Sequence, residues 1–121
     1  MKSLLLVAHG SRRMASNDEV RELAYRLETH TNGTYGRVDC AFLELAEPSI
    51  LDGLRQAIHA GAREGVVVPY FLSAGRHVVT DIPNVVDVVR AEYPDVNITL
   101  ASYLGASAGI VELLAGLAEQ D

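Results

Sequence analysis

Two stretches of this chain are apolar almost without interruption, and two others alternate apolar and polar positions. "SLLLVA" at 3–8 and "GVVVPYFL" at 65–72 are the continuous runs. A strand reads this way when both of its faces are buried. "RVDCAFLEL" at 37–45 sets Val38, Cys40 and Phe42 against Asp39 and Ala41, and "VNITLA" at 96–101 alternates as well. These two are read as edge strands. Between the strands the apolar spacing changes to three and four, the period of a helix. Ser16-Asn17-Asp18-Glu19 reads S-x-x-E, a capping box, and predicts a helix behind it with Val20, Leu23, Ala24 and Leu27 on one face. "TNGTYG" at 31–36 ends that helix. Glu47-Pro48 opens a second helix, with Pro48 where a missing N–H costs nothing and Ile50, Leu51, Leu54, Ala57 and Ile58 as the apolar face. Asp81 reads as the N-cap of a third helix, with Pro83 in its first turn and Val85, Val86 and Val89 inside. "SAGIVELLAGLAEQ" at 107–120 is a closing helix.

The order βαβαβαβα predicts an α/β fold, a four-stranded parallel sheet with helices on both faces. Placing the continuous runs centrally gives the strand order 2-1-3-4, a flavodoxin-like three-layer sandwich. Residues 1–121 read as one domain, long enough for a core of its own and too short for two.

Composition narrows the partners. Hydrophobic residues make up 49% and charged residues 21%, ordinary for a globular protein. No apolar stretch approaches the roughly 20 residues of a membrane-spanning helix, and the first run is too short for a signal-peptide core. Cys40 is the only cysteine, so no disulfide forms within the chain and the cytoplasm is the expected compartment. The net charge of −6 argues against nucleic acid as a partner. Arg12, Arg13 and Arg76 nevertheless cluster around the candidate site, a basic rim suited to an acidic small molecule.

Ligands of such sheets bind beyond the carboxyl ends of the strands where the strand order reverses, here between strands 1 and 3. The loop leaving strand 1 reads Ala8-His9-Gly10-Ser11-Arg12-Arg13, and the loop leaving strand 3 reads Leu72-Ser73-Ala74-Gly75-Arg76-His77. Each brings one histidine to that crevice. Strand 2 ends in Glu44-Leu45-Ala46-Glu47 and adds carboxylates at the same edge. Two imidazoles and a carboxylate suit a divalent first-row metal, and a neutral imidazole also accepts protons near neutral pH. His30 and His59 fall on helices away from the crevice, and Cys40 reads as packing.

With these residues in view the sequence resembles the short, single-domain form of the sirohydrochlorin cobaltochelatase family, the class II tetrapyrrole chelatases. The matching pieces are "LLLVAHGSR" at 4–12, "ELAEPSI" at 44–50 and "VVVPYFLSAGRHVVTDIP" at 66–83. The resemblance implies a chelatase-like fold and insertion of a divalent metal into a sirohydrochlorin-like ring in tetrapyrrole and cobalamin biosynthesis. Cobalt is the first expectation, with nickel or iron as alternatives; the metal is a substrate and no permanent cofactor is implied. It implies that His9 and His77 bind the metal, with His9 also accepting protons. Glu47 and the segment Leu72, Ser73, Ala74, Gly75, Arg76 and His77 match substrate-contacting positions, with Glu44, Arg12 and Arg13 as additional site residues. Some archaeal short forms carry a histidine where this chain has Ala74. A two-domain relative places its site between the domains, so the resemblance implies a homodimer here.

Two other readings compete. A tetrapyrrole or metal carrier would keep the same residues without turnover. A phosphohistidine enzyme would place an arginine before its first histidine, where this chain has Ala8.

Overall fold

A computed structural model of the chain describes residues 1–120. The elements run β1 (Lys2–Ala8), α1 (Met14–Thr31), β2 (Arg37–Phe42), α2 (Ile50–His59), β3 (Glu64–Pro69), a π-helical turn (His77–Asp81), α3 (Ile82–Glu92), β4 (Asn97–Leu100), a 3₁₀ turn (Leu104–Ala106) and α4 (Ile110–Ala118). The four strands form one parallel sheet in the order β2-β1-β3-β4. Both continuous apolar runs are central and both alternating ones lie at the edges, as the patterning predicts.

Successive side chains of a strand point to opposite faces, and β1 divides accordingly. Leu5 and Val7 join Ala41, Val67 and Ile98 under α2 and α3, which contribute Ile50, Leu54, Ile82, Val86 and Val89. Leu4, Leu6 and Ala8 join Val38, Cys40 and Phe42 under α1, which contributes Ala24. Burial pushes the Cys40 thiol up, against the pull of the nearby Arg21 charge, so it packs as a protonated group. The two faces are covered unequally. Two helices lie over one, but only α1 lies over the other, and Val66 and Val68 of β3 remain partly exposed there. The expected closing helix forms, yet α4 does not pack on the sheet and none of its residues is buried.

The helix starts differ from the sequence reading. Ser16 is not a cap: α1 begins at Met14, because the extended Arg13 already accepts backbone N–H bonds from Ser16 and Asn17 at 3.1 and 3.4 Å. Pro48 does not open α2. Its carbonyl accepts the Phe42 N–H at 2.9 Å, and Ser49 caps the helix by accepting the Asp52 N–H at 3.1 Å. Asp81 does not cap α3. The chain is already helical from His77, Asp81 itself has helical φ and ψ of −67° and −47°, and its carboxylate is engaged elsewhere. Strand β2 stops at Phe42 rather than continuing to Leu45, whose φ of +67° turns the chain. Among the described residues, no helix is long and apolar enough to cross a membrane.

Candidate functional site

The sheet's hydrogen bonding continues past the end of β1. Ala8 O accepts the Leu43 N–H at 3.0 Å, and His9 O accepts the Glu44 N–H at 3.1 Å. This lays the loop after β2 alongside the loop after β1 and sets Glu44 beside His9, with His9 Nε2 3.4 Å from Glu44 Oε1. The approach depends on Gly10. Its φ is +94°, and a Cβ there would stand 1.8 Å from the Glu44 carbonyl oxygen.

The same loop is clasped from the helix that follows it. Asn17 is buried, at 3% exposure, and its amide bridges Ser11 in both directions: Oδ1 accepts the Ser11 N–H at 2.9 Å and Nδ2 donates to Ser11 O at 2.8 Å. Ser11 Oγ in turn accepts the Arg13 N–H at 3.0 Å. Replacing Asn17 by alanine leaves the Ser11 backbone groups without these partners. The expected cost is about 1–3 kcal/mol, read as a lower urea midpoint at unchanged slope. An unchanged midpoint would show that the clasp does not hold this loop.

His77 arrives from the other side. The segment after β3 runs exposed through Leu72, Ser73, Ala74, Gly75 and Arg76 and enters the π turn, where Gly75 O accepts the Val78 and Val79 N–H groups at 3.1 and 3.0 Å. His77 Nδ1 and Asp81 Oδ2 then lie 2.7 Å apart, one helical turn from each other. The two imidazoles meet edge to face, with ring centroids 5.0 Å apart and planes at 68°.

These neighbours fix what each ring offers. The Asp81 carboxylate can only accept, so His77 Nδ1 carries its proton and Nε2 keeps a free lone pair. His9 has an acceptor at each ring nitrogen, Gly10 O at 3.0 Å from Nδ1 and Glu44 Oε1 at 3.4 Å from Nε2, so a proton on either nitrogen meets a partner. A facing pair of imidazoles can ligate a cation or take up protons. Among the described residues, no group of three His, Cys, Asp or Glu side chains stands ready to hold a metal by itself. The arrangement is an open two-imidazole site flanked by Glu44.

The other sequence-predicted residues surround this pair. Arg12, Arg13 and Arg76 are exposed, and none of them forms an ion pair among the described residues. Glu47 is exposed as well. Its backbone carbonyl accepts from Arg21 Nη2 at 3.2 Å, and its carboxylate pairs with neither histidine among the described residues. His59 lies elsewhere, against the Tyr93 hydroxyl at 3.2 Å. Two contributors were not anticipated. The four-residue step from His77 to Asp81 is a helical-face signal that would have found Asp81 had the segment been read as helix. Asn17 left no such signal, because its partner is six positions back across a loop.

A family model described as CbiX matches residues 3–120. The chain is 32% identical over 120 residues to the sirohydrochlorin cobaltochelatase of Sulfolobus acidocaldarius, covering 99% of this chain and 92% of that one. It is 37% identical over 102 residues to the chloroplastic sirohydrochlorin ferrochelatase of Arabidopsis thaliana, covering 84% of this chain and 44% of that one. The sirohydrochlorin chelatase SirB from Bacillus subtilis subspecies spizizenii, crystallised in complex with cobalt, matches the fold with a TM-score of 0.83 at 27% identity. That match covers 95% of this chain and 48% of SirB. The chain thus spans about half the length of two of these proteins and nearly all of the third. A parallel sheet with this strand order, matched by the family model along almost its whole length, places the chain in the CbiX family.

Proposed function

We propose that this protein is a sirohydrochlorin chelatase, a lyase-type enzyme that inserts a divalent metal, cobalt or iron with nickel as a further candidate, into a sirohydrochlorin-like ring. The observation that carries the reading is the facing pair His9 and His77, with Glu44 beside one ring and Asp81 behind the other. Relatives named sirohydrochlorin cobaltochelatase and ferrochelatase support it.

Insertion exchanges the pyrrole N–H protons for the metal. Something must hold the cation at one face of the ring while those protons leave. His77 holds the metal, since the Asp81 carboxylate behind Nδ1 fixes the ring's orientation and leaves Nε2 to ligate. His9 accepts the pyrrole protons and shares them with Glu44 at 3.4 Å, a gap that closes to a hydrogen bond with a small shift. The substrate ring is a polycarboxylate, and a chain of net charge −6 would repel it without a local basic rim. Arg12, Arg13 and Arg76 supply that rim, because a guanidinium pairs with a carboxylate through a two-pronged hydrogen-bonded fork. Leu72, Ser73, Ala74 and Gly75 line the ring's approach, and Glu47 contacts its edge. In this reading the chain is one chelatase-type domain, and two copies together build the cleft; the match to SirB, which covers 48% of that longer chain, supports it.

The test is an anaerobic absorbance time course with sirohydrochlorin and Co²⁺, Ni²⁺ or Fe²⁺, each against the protein-free rate. Acceleration with at least one metal is the expected result. A ligand-bound spectrum with no acceleration for any metal would overturn the enzyme and leave a carrier. Asp81→Asn refines the test. An asparagine amide can donate to Nδ1, which moves the ring proton to Nε2 and removes the metal-binding lone pair. Co²⁺ affinity is then expected to fall about 10–100-fold with an unchanged melting temperature. Equal affinity in the variant would remove Asp81 from the metal's support.

A further inference from the structure

One large apolar side chain beside the histidine pair belongs to neither core. The segment leaving β2 reads Leu43-Glu44-Leu45-Ala46-Glu47. Leu43 packs against the cluster under α2 and α3, and Ala46 packs against the cluster under α1. Leu45 joins neither cluster and is 54% exposed. It directly follows Glu44, the residue set beside His9. A leucine left in water at the edge of a site gains free energy from any apolar surface that covers it.

The backbone adds a second cost. Leu45 has a φ of +67°, in the left-handed region where an L side chain crowds its own carbonyl. Among the described residues one other non-glycine residue has a left-handed φ: Asn32, the C-cap of α1, a place where asparagine is common. A turn alone would call for glycine or asparagine. Here a leucine is held in the turn from both ends. On one side Leu43 and Glu44 donate their N–H groups to Ala8 O and His9 O. On the other, Arg21 Nη2 donates to Glu47 O at 3.2 Å while its guanidinium lies 5.2 Å over the Phe42 ring, and the Phe42 N–H reaches Pro48 O at 2.9 Å. Backbone strain persists where the surroundings fix it in this way, and it gathers at ligand clamps.

The substrate class supplies the missing surface. Arg12, Arg13 and Arg76 answer the carboxylates at the ring's edge, but a tetrapyrrole also has a broad conjugated face that carries no charge. A guanidinium rim does not shed water from that face. On the loop from β3, Leu72 is 70% exposed and can do so. On the loop from β2 the large apolar side chain free to do the same is Leu45.

We propose, on the chelatase reading given above, that Leu45 is a substrate contact whose side chain, presented by the left-handed turn, packs on the face of the tetrapyrrole ring next to His9 and Glu44. It selects for the apolar face of the ring and leaves the metal and the carboxylates to other residues.

The test titrates the full chain, Leu45→Gly, Leu45→Asn and Leu45→Met with metal-free sirohydrochlorin under anaerobic conditions, followed by absorbance. Glycine and asparagine relieve the backbone and remove the apolar contact; methionine keeps the contact. The Gly and Asn variants are expected to bind the ring roughly 5–20-fold more weakly, the loss from leaving about half a leucine uncovered. Leu45→Met should stay within about twofold of the parent. Melting temperatures of the Gly and Asn variants should lie at or above the parent's, because the strained φ is relieved. Co²⁺ affinity, measured without the ring, should be the same in all four proteins. Parental ring affinity in the Gly and Asn variants would overturn the contact. Lower melting temperatures in both would make Leu45 a packing residue and overturn it too. Weaker Co²⁺ binding in both would show that the change acts through Glu44 and His9, with the same consequence. A parent chain that binds no sirohydrochlorin would overturn the chelatase reading and the contact together, a result seen before any variant is made.

Discussion

Alanine at either His9 or His77 is expected to reduce the metalation rate roughly 10²–10⁴-fold, the range over which a positioned acid, base or ligand contributes. The loss should not come from unfolding. The His9 side chain is 47% exposed and that of His77 42%, and truncations at such positions usually change stability within about 0.5 kcal/mol. The two losses should not multiply. If one ring holds the metal while the other removes protons, each is useless without its partner, and the double variant should be little slower than the worse single one. Initial rates and melting temperatures of the three variants check this together. Near-normal rates in both single variants, with the fold intact, would remove the histidine pair from the chemistry.

Gly10→Ala is expected to be the most damaging single change near the site. The left-handed φ of +94° costs any L side chain energy, and the new methyl would overlap the Glu44 carbonyl oxygen at 1.8 Å, an atom of backbone that is tied to the sheet. A loss of about 3 kcal/mol or more follows, a fall of roughly 10–20 °C in melting temperature for a domain of this size. The residual folded protein should also be slow, because relief of the overlap parts His9 from Glu44. Gly75→Ala is the matched control. No atom lies within 4 Å of a Cβ there and its φ is not left-handed, so its melting temperature should stay within a few degrees of the parent. Equal behaviour of the two variants would show that the close approach at Gly10 is not required.

What could be read from residues alone follows from where each feature's cause lies. Burial on both faces selects apolar residues at every position of a strand, so β1 and β3 were recognisable as central before any contact was known. Strand order and the crevice between them came with that recognition, and the histidines came with the crevice. The failures share a different cause. Ser16 with Glu19 has the letters of a capping box, but a cap requires the backbone to turn there, and it had already turned at Arg13. Asp81 has the letter of a cap too, yet its carboxylate is claimed by His77. Asn17 belongs to the site only through Ser11, and α4 is amphipathic enough to be recognised while nothing in its sequence says that it stands off the sheet. Single side chains with more than one partner in reach are settled by geometry, not by type.

The central position of β1 also governs how the chain emerges from the ribosome. Ser3 pairs with Arg37 on one side, but Lys2 pairs with Glu64 on the other, 62 positions further on. At 5–20 residues per second, synthesis takes roughly 3–12 s to deliver that second neighbour. Until then one edge of "LLLVA" lies open beside β2, an unpaired apolar strand of the kind that recruits other chains. The nascent segment from 2 to 64 is therefore where a holdase chaperone has most to cover, and slower translation through α2 would lengthen its exposure.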